Sequence, residues 1–274
     1  MNRLCVFGLV LVLVIGLLIL KFHVMAKQKG IIPLVGTIGG INFYYLNGKP
    51  VARAAGGGFN GAAIKTKLSM ERVRENASEF GDCSHVNKVF RQAIRPFYNN
   101  HKFTFFHSRL MTLFTDLKKL DTASARGARQ VFKGLQTDAG KRLLLDFTYT
   151  PDCKPELVFP FNYSMDWSTY TLTFSEFNME QVPFITGATH IALQFGVLDF
   201  NFETLDSELH LAAPLVLAQD FAGTSLSLSP IGAPSGLGLK LAVLGVRYYQ
   251  AVDGLLYLLN AKDGVGISVF SIKN

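Results

Sequence analysis

Beyond Lys141 the apolar residues begin to recur at every second position, and this alternation governs the rest of the chain. RLLLDFTYT, ELVFPFN, STYTLTFSE, THIALQFGVLDFNFE, ELHLAAPLVLA, KLAVLGVRYYQAV, GLLYLLN and GISVFSI read as strands divided by turn residues. A period of two places alternate side chains on one face of a strand. A run of such strands with no helical pattern between them argues for burial of those faces by stacking sheet on sheet. The pattern therefore predicts an antiparallel β-sandwich. Asp253-Gly254 reads as a tight hairpin turn and Asp263-Gly264 as a second turn.

Upstream of QTDAG, residues 136–140, the period is helical. Ser69 is placed to cap a helix that buries Met70, Val73, Ala77 and Phe80. Gly81 then separates a second helix, with Val86, Val89, Phe90 and Ile94 inward, which ends before Pro96. A third runs from about His107 to Leu120 on Leu110, Leu113, Phe114 and Leu117, and a fourth follows Thr122 on Ala128, Val131, Phe132 and Leu135. Earlier still, INFYY, Asn47-Gly48 and PVARA spell strand, turn, strand, with GGGFNG as a loop behind them. Pro50 confines the return strand to an edge, or to a position where no ladder hydrogen bond is needed. The expected fold is α+β: a glycine-rich β-hairpin and basic helical segment in residues 25–136, then the antiparallel β-sandwich in 137–274.

Residues 1–24 stand apart. Leu4 to Leu20 is an unbroken apolar run. As a helix it would span about 26 Å, the short end for a membrane crossing. It is slightly long for a signal-peptide core, although HVMA offers a small-residue cleavage site. Met25 also makes a natural start for a soluble protein. Lys21, Lys27 and Lys29 follow the run and only Arg3 precedes it, so an inserted segment would keep the bulk of the chain cytoplasmic. The expectation is a cytoplasmic protein if translation begins at Met25 and a membrane-anchored one otherwise.

Motifs that carry chemistry are scarce. Residues 36–61 are rich in glycine, but Gly36, Gly39 and Gly40 are spaced G-x-x-G-G and lead into a strand, where a dinucleotide loop must open a helix. No Gly-Lys-Ser/Thr triplet occurs, and GGGFNG has no immediate helix, since several residues separate it from Ser69. The glycines read instead as turn formers that supply positive φ. Cys5, Cys83 and Cys153 make neither a disulfide framework nor a zinc site and read as reduced, structural thiols. The six histidines lack metal-ligand spacing, and no G-x-S-x-G elbow is present. Asp199, Glu203, Asp206 and Glu208 lack calcium-loop spacing and read as a solvated turn. No catalytic, cofactor-binding or metal residue is assigned, no cofactor is expected, and the chain is not expected to be an enzyme.

Charge is more informative. The net charge is +7, yet residues 25–135 hold 18 Lys and Arg against 6 Asp and Glu, while residues 136–274 hold 7 against 14. Lys88, Arg91 and Arg95 fall at helical spacing, and Arg126, Arg129 and Lys133 repeat it. With Lys65, Lys67, Arg72 and Arg74 they could bind phosphate. No helix-turn-helix, zinc finger or aromatic RNA-binding signature accompanies them. Halves of opposite sign steer copies, or a protein partner, into contact, and the hairpin at Asn47-Gly48 offers strand pairing. The leading expectation is a non-enzymatic structural or protein-interaction and assembly protein. Nucleic-acid binding around Lys88–Arg95 and Arg126–Lys133 is the alternative, and membrane contact would require residues 4–20.

The blocks MAKQKGIIPLVGTIGGINFYYLNGKPVARAAGGGFNG, RVRENASEFG, RQAIRPF, LDTASARGARQVF, YTPDCKPELV and GATHIALQFGVLDFNFET resemble an uncharacterised protein family of Bacteroidota, especially flavobacteria. The resemblance runs from Met25 to the C-terminus. It implies that the first 24 residues precede the family's start. The family has no assigned activity, so the resemblance implies no functional residue.

Overall fold

The computed structural model describes residues 26–29, 33–55, 61–99 and 101–273. The apolar run at 4–20, read above as anchor, signal or upstream sequence, lies outside them. Two compact units divide at Met70/Glu71.

The first unit is a four-stranded antiparallel sheet of β1 (Ala26–Lys27), β2 (Gly36–Ile38), β3 (Ile41–Leu46) and β4 (Lys49–Ala54), ordered β1-β4-β3-β2. Two-residue turns join β2 to β3 and β3 to β4. At both, the central residues have positive φ: Gly39 +55° with Gly40 +77°, and Asn47 +50° with Gly48 +74°. This is the type I′ pattern, whose twist matches that of the flanking strands. The glycines are therefore spent on turns. Pro50 accepts a hydrogen bond from the Gln28 N–H at 3.1 Å, so its carbonyl, and with it the missing donor, faces the short β1 side. Helix α1 (Gly61–Thr66) begins at the last residue of GGGFNG. The expectation that no helix follows that loop at once is thus overturned; Ala62 and Ala63 favour the helix, and the Thr66 hydroxyl returns to the Ala62 carbonyl at 2.9 Å.

The second unit opens with α2 (Glu71–Ala93), one continuous helix where two were expected. Gly81 lies inside it without breaking it. Its buried residues are Glu79, Cys83, Val86, Asn87 and Phe90, whereas Phe80 is 60% exposed. The first half of the expected face is therefore rotated away, because a carboxylate with partners takes the inward position. α3 (Arg95–Tyr98) and α4 (Phe106–Lys119) follow, and α4 buries Leu110, Leu113, Phe114 and Leu117 as its spacing predicts.

The expected fourth helix shrinks to α5 (Val131–Leu135). The Asp121 carboxylate takes the N–H groups of Ala123, Ser124 and Gln130 at 3.0, 2.9 and 3.0 Å, and so holds residues 121–130 as a loop. Two expected strands are helices. The RLLL of RLLLDFTYT lies in α6 (Asp138–Leu145), whose N-cap Thr137 accepts from the Gly140 N–H at 3.0 Å, and the rest is irregular. The ELV of ELVFPFN lies in α7 (Pro155–Val158), which has Pro at its first turn.

The remaining segments form sheets. β7 (His190–Phe200) and β11 (Leu239–Val252) are the central pair of the larger one, with β8 (Ser207–Leu211) and β9 (Leu215–Ala218) beside β7. β12 (Leu255–Leu258) and β13 (Val265–Lys273) lie beside β11. The smaller sheet is β10-β6-β5, with β5 at Tyr163–Asp166, β6 at Thr171–Phe174 and β10 at Leu226–Leu228.

Alternation explains the layering. Ile191, Leu193, Phe195 and Val197 of β7 share a core with Leu172, Phe174, Leu226 and Leu228 of the small sheet. Leu198 and Phe200, on the opposite face, join Phe90, Ile94, Leu110 and Phe114 of the helices. The larger sheet is thus covered on both sides, by helices and by a second sheet, which is an α+β fold containing an antiparallel sandwich. Because helices and sheet share this core, the division expected near residues 136–140 moves to Met70/Glu71.

Candidate functional site

The six basic residues singled out by spacing do not form two stripes. Lys88 is exposed on α2 and Arg95 is exposed at the start of α3. Arg91, between them, donates from Nε to Asn87 Oδ1 at 2.9 Å, and buried Asn87 donates to the His107 carbonyl at 3.0 Å. Arg91 therefore helps tie α2 to α4.

Arg126 and Arg129 lie on the 121–130 loop, not on a helix, and this loop folds back over α2. Glu79, fully buried, receives Arg129 Nε–H at 2.7 Å, Arg129 Nη2–H at 2.9 Å and the Gly127 N–H at 2.8 Å; Lys118 of α4 pairs with its Oε2, which Arg129 Nη2 also reaches. Arg126 reaches Asn76 Oδ1 at 3.2 Å and Glu75 Oε2 at 3.4 Å, and Lys133 donates to Ser124 Oγ at 2.8 Å. The second group of cations is a clasp within the unit. Arg129 beside it holds the Glu79 carboxyl well below its ordinary range against the opposing effect of burial, with Lys118 and the Gly127 N–H assisting. Burial would raise Asp121, but the Ser124 hydroxyl and the three N–H groups outweigh it and lower the carboxyl to about 2.

Once these cations are placed, the charge excess falls elsewhere. Residues 71–274 carry 19 Lys and Arg against 20 Asp and Glu, close to balance. Residues 1–70 carry 8 against none. Within the first unit the sheet has two distinct faces, fixed by the strand registers. Ile38, Ile41, Phe43 and Tyr45 share one with Pro50, Ala52 and Ala54. Asn42, Tyr44 and Leu46 share the other with Lys49, Val51 and Arg53. The first face is wholly apolar, yet Ile38 is 57%, Ile41 43% and Tyr45 49% exposed. On the second face the Arg53 guanidinium lies 5.5 Å from the Tyr44 ring centre. The Asn47-Gly48 turn is exposed at one end of the sheet.

Among the described residues no group of three or more His, Cys, Asp or Glu side chains could hold a metal ion. The acidic run is dispersed: Asp199 pairs with Lys240 at 2.9 Å, and Glu208 binds His210 Nε2 at 2.6 Å and the Ser235 N–H at 2.9 Å. The Ser235 hydroxyl also donates to Glu208, at 3.1 Å. The carboxylate thus sits between hydroxyl and imidazole, whereas an activated serine needs the imidazole at its oxygen. Glu208 raises the His210 pKa, with help from the Ile231 carbonyl on Nδ1, and the charged ring can donate to both acceptors. This cluster fastens the loop that leads into β11. Cys83 and Cys153 are buried free thiols; burial raises both, Cys153 to about 12, which keeps them protonated and unreactive.

Comparison with known proteins finds no matching family model, no matching curated protein and no matching solved structure. Sequence spacing missed Glu79 as a buried anchor, although 79, 83, 86 and 90 form a helical face once a carboxylate is allowed on it. It also missed Glu208, His210 and Ser235, whose proximity depends on a loop returning across β8.

Proposed function

We propose that the protein acts by association, and that its N-terminal unit is the docking element. The observation that carries this reading is a 70-residue stretch with eight basic residues and no acidic one, folded where described into a sheet with an uncovered apolar face. Such a surface combines apolar area for affinity with charge for orientation. The chain itself supplies a complement. Residues 136–274 hold twice as many acidic as basic side chains, with Glu176, Glu180, Asp220 and Asp253 exposed on the turns of the sandwich. The occupant we favour is the acidic sandwich of a second copy, which would give head-to-tail assembly.

Carbodiimide coupling of lysine to contacting carboxylates tests this in a mixture of isotopically light and heavy copies. Mixed-mass cross-links from Lys27, Lys49, Lys65 or Lys67 to sandwich carboxylates are expected, and an absence of mixed-mass products would sink the proposal. Nucleic-acid binding has less support. Its second group of cations is engaged with Glu75, Glu79 and Ser124, and Arg91 with Asn87, which leaves Lys88 and Arg95.

A further inference from the structure

We propose that the second unit binds a small amphipathic anion, an aromatic or medium-chain carboxylate, in the groove between α5, α6 and the adjoining ends of β7 and β11. The groove has a volume of about 320 Å³, at the lower end of the range for ligand pockets. Its floor is Phe132, Leu135, Phe200 and Phe202. The floor is held from behind: Phe200 and Phe202 lie 4.6 Å apart by ring centres, and Phe90 stands 5.4 and 6.0 Å from them.

The polar side chains of the lining each keep a donor without an acceptor. Lys141 and Gln136 face the groove, and their side chains have no hydrogen-bond or ion-pair partner among the described residues. Asn201 turns its oxygen to the N–H groups of Glu203 and Thr204, at 2.9 and 3.1 Å, which leaves its NH₂ as a donor. Among the described residues no carboxylate lines this groove, and Asp199 behind Gly238 is engaged by the Gly238 N–H and by Lys240. An apolar floor edged by an ammonium and two amides matches an apolar body that carries an anionic head.

Orientation follows from the neighbouring cavity of about 250 Å³, which shares Phe132 and Phe202 with the groove. Asp82 and Glu203 line that second cavity together with His85 and Arg129, whose guanidinium is already taken by Glu79, so the head lies at Lys141 and the tail points to the Phe132–Phe202 waist. Leu237, at the rim, is 99% exposed and is the side chain placed to cover a bound tail.

The test uses the full chain and the fluorescent sulfonate 1-anilinonaphthalene-8-sulfonate, displaced by decanoate, with decyltrimethylammonium as the cationic control. Saturable binding is expected, with displacement by decanoate and not by the cation. Lys141→Glu should weaken decanoate roughly tenfold or more, the effect of losing one charge-assisted contact. Leu237→Asp, at a position fully in solvent, should weaken it without altering the fold seen by circular dichroism. The proposal is overturned by an absence of saturable binding, by equal displacement by the two detergents, or by affinity that neither substitution changes. The last result would place the dye elsewhere, for instance on the apolar face of the first unit.

Discussion

Glu79 concentrates the physical tension of the second unit in one side chain. A fully buried carboxylate is costly by itself, and it is tolerated here because Arg129, Lys118 and the Gly127 N–H surround it. Glu79→Gln keeps the shape but strands two cations, so it should cost about 3–5 kcal/mol, as for other buried pairs that lose one partner; urea denaturation would measure it. Acid should act on the same residues. Glu79 and Asp121 are both held below their ordinary values of 4.5 and 3.8, so their stabilisation is complete above those values and is lost as pH falls towards 2. Unfolding free energy should therefore decline between pH 4.5 and 2, and the Glu79→Gln, Asp121→Asn double variant should decline less steeply. A decline of the same slope in both would assign acid sensitivity to other carboxylates.

At the scale of elements, two glycines hold the helices together and a third does not. A Cβ on Gly134 would meet the Leu117 carbonyl oxygen at 2.0 Å, and one on Gly140 would meet the Gly134 carbonyl oxygen at 2.1 Å. Backbone packs on backbone among α4, α5 and α6, and Gly134→Ala or Gly140→Ala should destabilise by about 1–3 kcal/mol or more. Gly81 has nothing within 4 Å of the same added atom and lies within α2, so Gly81→Ala should stabilise by about 0.5–1 kcal/mol. Thermal denaturation of the three variants gives opposite signs if this packing is right. The same elements explain what the sequence disclosed. α4, β7, β11 and β13 were legible because each repeats one period over many residues, and Asn47-Gly48 because two adjacent positive-φ positions admit few residue types. The 121–130 loop was not legible, since Asp121 diverts its N–H groups and Arg129 finds Glu79 at a separation of 50 residues. RLLLDFTYT alternates too briefly to outweigh a Thr137 cap. The candidate surface was legible as charge and not as position: counting to residue 135 mixed the acid-free unit with helices whose cations are partly consumed inside the fold.

For the whole molecule, the division at Met70/Glu71 turns a modest net charge into a pronounced asymmetry, with the entire excess on the first 70 residues. The N-terminal sheet also keeps Ile38, Ile41 and Tyr45 uncovered, which would add an apolar component to the proposed association. Charged steering between exposed groups is screened once the Debye length falls below the separation of the partners, to about 10 Å at 0.1 M salt and about 3 Å at 1 M. The most direct measurement is the solution mass by light scattering across a salt series, for the chain and for its Lys49→Glu, Arg53→Glu variant. Head-to-tail docking predicts masses above the 30.2 kDa of one chain at low salt, falling towards that value as salt rises, and a variant that stays near it throughout. A mass of 30.2 kDa at every salt and concentration, or association that the double charge reversal leaves unchanged, would contradict it.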